Sequence, residues 1–162
     1  MVKTKKSPTY PRHQTSRLIT VTQTQRALSI DDDSAERALS KLLQFYNITT
    51  KEIAIHFVSK KTICELHERF FDDPSPTDCI TFPSDTPETF LGEVFICPAV
   101  AKAYAKKHQL DPLEETTLYL IHGFLHLLGY GDIEAEEKLE MRKEEARALK
   151  HLERSKALLA SI

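Results

Sequence analysis

Eleven consecutive residues, 118–128, are apolar at nearly every position yet include two histidines, His122 and His126. As a helix this run has no wide polar face, so the fold must wrap a core around it. The histidines are four residues apart and fall on one helix face, one turn above the other. Gly129 follows as a left-handed stop, which lets the chain turn back, and Asp132 comes three residues later.

Two imidazoles in a buried helix need partners for their ring nitrogens. One metal ion bound by both answers that need. The spacing His-x3-His-x5-Asp offers nitrogen and oxygen ligands of the kind zinc takes, from His122, His126 and Asp132. Three ligands leave a fourth position open to water or substrate, which is the mark of a catalytic rather than a structural site. The blander alternatives are two core histidines bonded to carbonyls, and Asp132 acting as a helix N-cap before the acidic stretch that follows. Metalloproteases of the His-Glu-x-x-His kind carry a Glu beside the first histidine, and here that position is Gly123. A peptidase reading therefore has no general base.

A chain of 162 residues suits one domain with its own core. No apolar run is long enough to span a membrane, and the basic start lacks the apolar segment of a secretory signal. Cys64, Cys79 and Cys97 form no C-x-x-C pair, so free thiols, no disulfide-linked partner and a cytoplasmic setting are expected. The net charge of −2 is unevenly spread. Residues 1–17 hold five basic side chains and no acid, leaving 17 basic against 24 acidic residues in the remainder. Residues 1–16, with Pro8 and Pro11, read as a flexible basic arm, and residues 17–162 as the domain.

Residues 17–21 read as a first strand, and the Asp31 to Ser34 cluster starts a helix with Ala35, Leu39, Leu42 and Tyr46 at helical spacing. Residues 52–58 alternate with both faces apolar, as a central strand does, and His56 is expected to be covered by a helix. A second helix over 60–71 is followed by an Asp- and Pro-rich loop, whose acids read as turn and cap chemistry. Short strands at 79–82 and 91–97 suggest a hairpin-like pair. A helix runs from Pro98 to about His108, the histidine helix starts at Pro112, and a charged helix begins near Ile133. The order predicts a single α+β domain, with a mixed sheet of about four strands packed with helices and a central buried metal-binding helix.

Three motifs carry a resemblance. His122 to Tyr130 reads His-Gly-Phe-Leu-His-Leu-Leu-Gly-Tyr, residues 76–83 read Pro-Thr-Asp-Cys-Ile-Thr-Phe-Pro, and residues 91–98 read Leu-Gly-Glu-Val-Phe-Ile-Cys-Pro. In kind and order they resemble the signatures of the YbeY family of bacterial endoribonucleases, over roughly residues 17–150. The resemblance implies a metal-dependent endoribonuclease specific for single strands, with one zinc ion. It also implies a role in maturing the 3′ end of small-subunit ribosomal RNA and in ribosome quality control. Its partners would be single-stranded ribosomal RNA and the small subunit, with no membrane. His122 and His126 would be catalytic as metal ligands, and Thr77, Asp78 and Glu93 in the matched motifs would shape the cleft.

The chain departs from the family pattern twice. Counted without a gap, Asp132 stands where the family carries a third histidine ligand, and an aspartate must approach more closely than a histidine; counted with Gly131 as an insertion, Ile133 takes that position and the third ligand is lost. Where the family has an arginine at the end of the second helix, this chain has Phe71, followed by Asp72 and Asp73. A non-catalytic, metal-containing ribosome-assembly factor is the alternative that Phe71 favours, and a zincin-like metallohydrolase is a weaker one.

Overall fold

A computed structural model describes residues 18–162. The basic arm read over residues 1–16, and Arg17 of the first strand, lie outside the described residues. The elements are β1 (Leu18–Thr24), α1 (Asp32–Phe45), β2 (Glu52–Val58), α2 (Lys60–Phe71), β3 (Cys79–Pro83), β4 (Phe90–Ile96), α3 (Pro98–His108), α4 (Pro112–Leu127) and α5 (Ala135–Arg154). This is the α+β order expected from the sequence, with strand and helix ends shifted by up to three residues, most at the end of β1.

Local chemistry explains most of the boundaries. Asp31, Ser59 and Asp111 cap α1, α2 and α4 by accepting hydrogen bonds from backbone N–H groups of the first turn. Pro98 and Pro112 stand at the starts of α3 and α4, where no intrahelical N–H bond is lost. The acids of the 72–78 loop do serve turns. Asp73 accepts from the N–H and hydroxyl of Ser75, and Asp78 from the Thr77 hydroxyl and the Cys79 N–H.

The sheet has the order β1-β2-β4-β3. β1, β2 and β4 are parallel, joined through helices, while β3 runs antiparallel along β4 as an edge strand. One sheet face is fully packed. Ile53, Ile55 and Phe57 of β2 and Val94 and Ile96 of β4 meet Leu39 and Leu42 of α1, Leu120, Ile121, Phe124 and Leu125 of α4, and Leu152 of α5. Each of these larger side chains contributes about 1.5–3 kcal/mol by leaving water.

The opposite face is thinly covered. α2 closes only one end, where Ile63 packs with Val58 and Ile80. Thr22, His56, Glu93 and Phe95 remain partly exposed there. His56 is therefore not buried beneath a helix. It bonds sideways to neighbouring strands, to Thr22 and Glu93, and stacks on Phe95 with ring centroids 4.5 Å apart.

Candidate metal centre

α4 lies against β3 and β4, with α3 and α5 beside it. Gly123 sets how close it comes. A Cβ at that position would lie 2.4 Å from Val94 Cγ1, so only glycine fits. The position next to His122 thus faces the sheet and has no room for a glutamate, which gives the missing peptidase base a packing reason. With that side pressed on the sheet, His122 and His126 face a cleft.

The helix ends as its glycine requires. Gly129 has φ +98, its N–H bonds Leu127's predecessor carbonyl at His126, and the Tyr130 N–H bonds Leu125. This is a Schellman motif. The same turn brings the Tyr130 carbonyl to His126 Nδ1 at 2.9 Å. A carbonyl only accepts, so His126 carries its proton on Nδ1. Gly131 then passes against the Glu137 carboxylate, where a Cβ would clash at 2.6 Å. That close passage returns Asp132 to the histidines.

His122 is oriented from another helix. Its Nδ1 donates to Glu145 Oε1 of α5 at 2.6 Å. Both Nε2 atoms are thereby left with lone pairs, 3.0 Å apart. Asp132 Oδ2 stands 3.4 Å from one and 3.3 Å from the other. With both imidazoles neutral, three acceptors converge with no hydrogen between them, an arrangement that a cation, whether a metal ion or a proton on Nε2, stabilises. Four ligands held tetrahedrally at 2.0–2.1 Å from zinc lie about 3.3 Å apart, so this triangle matches one face of such a site. His122, His126 and Asp132 could hold a metal ion.

The electrostatics agree. Burial works against a charged His122, but the Glu145 hydrogen bond and the charges of Asp78, Glu145 and Asp132 outweigh it and raise its pKa. A second trio, Asp78, Cys79 and His122, also has ligand atoms within reach of one another. It shares His122 with the first. Burial, reinforced by Asp78, Asp132 and Glu145, pushes the Cys79 thiol well up, which keeps it protonated and a poorer ligand.

Beside the histidines opens a cleft of about 360 Å³, lined by His67, Phe71, Thr77, Cys79, Ile80, Thr81, His126 and Asp132. It opens on the side of Asp132, whose side chain is 42% exposed against 18% for His122. Thr77 lines the wall and Asp78 stands behind it, near His122. Glu93 is elsewhere. Its neighbour Val94 faces Gly123, so Glu93 points from the opposite sheet face, where His56 Nε2 donates to it.

Two residues of the site, one behind His122 and one in the cleft, enter only with the structure. Glu145 is partly buried on α5 beside the buried Glu144, and its spacing of four from Met141 and three from Ala148, which turns it toward α4, was the available signal. His67 faces the cleft with Nδ1 donating to the Ser75 carbonyl at 2.7 Å, and nothing in the local sequence marks it.

Residues 19–153 match the family described as Endoribonuclease YbeY. The chain belongs to the YbeY family. It is 43% identical to "Endoribonuclease YbeY" of Protochlamydia amoebophila, covering 85% of this chain and 94% of that one. The protein of the same name from Chlamydia pneumoniae is 40% identical, over 88% of this chain and 96% of its own. A solution structure of a Thermotoga maritima protein superposes with a TM-score of 0.61 at 25% identity, covering 83% of this chain and 89% of that one. Within this YbeY chain, Asp132 stands at the point where both Nε2 atoms converge, and Phe71 forms part of the cleft wall.

Proposed function

We propose that this protein is a zinc-dependent endoribonuclease that cuts single-stranded ribosomal RNA, acting in maturation of the small-subunit 3′ end and in ribosome quality control, in the cytoplasm. The observation that carries the reading is the convergence of His122 Nε2, His126 Nε2 and Asp132 Oδ2 beside an open cleft, in a chain whose relatives are named endoribonucleases. No helix among the described residues is long and apolar enough to cross a membrane.

His122, His126 and Asp132 would hold one zinc ion. Such an ion supplies Lewis acidity toward a phosphate oxygen and lowers the pKa of water. The protein's own groups prepare that chemistry. Glu145 and the Tyr130 carbonyl hold both imidazoles in the Nδ1–H tautomer, so each presents Nε2. The Thr77 hydroxyl and the His67 ring lie on the wall where a phosphodiester enters. Phe71, in place of the family's arginine, offers an exposed ring on which a base can stack. None of the residues lining this cleft is Lys or Arg, and the basic side chains beside His122 and Asp132 are Lys138 and Arg142, on the α5 side.

The test is cleavage of single-stranded ribosomal RNA by the purified chain, with His126→Ala prepared in parallel. Cutting by the wild type alone, stopped by a chelator, supports the nuclease. Equal inertness of both proteins, with zinc bound by the wild type, would replace it with the assembly-factor reading.

A further inference from the structure

A second groove adjoins the metal cleft. It has a volume of about 330 Å³ and lies between the first turn of α2 and one face of α3. Val100, Ala103, Tyr104 and Lys107 line it from α3 at helical spacing. Lys60 lines it from α2, and Pro76 closes the end. Pro76 is bonded in sequence to Thr77, which lines the metal cleft, so one turn of chain is shared by the two walls.

The two hollows differ in charge. The metal cleft is bordered by Asp132 and Asp78 and has no basic lining residue, and the cations beside His122 and Asp132, Lys138 and Arg142, lie on the far side toward α5. The groove has cations and no acid among its lining residues. Lys60 and Lys107 are exposed and form no ion pair among the described residues. Tyr104 is 46% exposed, an amphipathic ring beside an apolar floor. Separated cations with an aromatic ring between apolar walls suit a single strand, whose phosphates take the charges and whose base takes the ring.

We propose that single-stranded RNA engaged at the metal cleft crosses the turn at Pro76 and continues in this groove, where Lys60 and Lys107 contact phosphates and Tyr104 stacks on a base. The inference rests on the nuclease reading and adds the path of the substrate. It also explains how a chain of net charge −2, with Phe71 in place of the family's arginine, can retain a polyanion.

The test uses the full chain and a fluorescent single-stranded RNA of about 12 nucleotides, within the length such surfaces bind. Its affinity is followed by anisotropy across a salt series. For the double variant Lys60→Ala with Lys107→Ala, the slope of log K against log salt falls by about 1.4, at about 0.7 per lost phosphate contact. Tyr104→Ala binds about tenfold more weakly with the slope unchanged. In cleavage, the double variant raises KM on the long RNA with kcat retained, and leaves cleavage of a dinucleotide unchanged. Its zinc content and melting temperature stay at wild-type values. Lys143→Ala with Lys150→Ala, both exposed on α5, removes the same two charges remotely and changes none of these. If the wild type cuts RNA but the double variant keeps the wild-type slope and KM, the track is wrong and the nuclease stands. If the wild type neither binds nor cuts, both readings fall.

Discussion

Among the described residues two histidine–glutamate pairs stand on opposite faces of the sheet, and one of them is arranged to serve a ligand. On the packed face, His122 donates from Nδ1 to Glu145 at 2.6 Å. On the open face, His56 Nε2 stands 2.9 Å from Glu93. The pairs look alike, yet their remaining nitrogens differ. His56 Nδ1 accepts from the Thr22 hydroxyl at 2.6 Å, and Phe95 stacks on the ring. That imidazole has both nitrogens bonded within the protein. His122 keeps Nε2 directed at two further acceptors. A carboxylate beside a histidine therefore does not define a site. What defines it is a nitrogen left over, facing other lone-pair atoms, at the edge of a cleft.

Removing a direct ligand should separate the two faces most sharply. His126→Ala is expected to lose zinc by more than ~100-fold in affinity, beyond the effect of an outer partner, and to abolish RNA cleavage. His56→Ala should leave metal content unchanged, as measured after dialysis against limiting zinc. Equal metal loss in both variants would break the comparison.

The carboxylates come next. Glu145→Gln should weaken zinc by about 10–100-fold, because the amide no longer fixes the His122 tautomer by charge. Glu93→Gln should bind zinc as the wild type does. Competition with a chromogenic chelator reads both.

Glu93→Ala should instead act on stability. Losing its bond to a partly buried imidazole costs about 1 kcal/mol. That lowers the melting temperature by about 2–4 °C, as read by calorimetry, with cleavage retained.

The smallest effect is in pH. Because the folded state raises the His122 pKa, its contribution to metal-free stability is complete below the ordinary histidine value near 6.5. It is lost as pH rises through the raised value. The slope there is at most about 1.4 kcal/mol per pH unit for one proton. Zinc affinity should climb over the same interval, since the ligand must be deprotonated. A metal-free melting temperature that rises with pH there would contradict the assignment of His122 as the coupled group.

Local periodicity made much of this readable in the chain. The i, i+4 spacing alone puts His122 and His126 on one face. Gly129 alone announces the reversal that follows, and alternation alone marks β2 as central. Those signals operate within a few residues, where backbone geometry leaves few choices. The sequence also placed Asp132 close enough to return, given Gly131. It could not supply Glu145, which reaches His122 across 23 residues, nor His67, which enters the cleft through the pairing of α2 with the loop before β3. It set Glu93 beside Val94 on opposite faces, but which face meets α4 was decided by packing, through the contact of Val94 with Gly123. Sequence determines parity and period, because these follow from the chain's own bond geometry. Only the tertiary structure decides which face is inside and which distant groups meet, because those depend on where all the apolar surface can be buried at once.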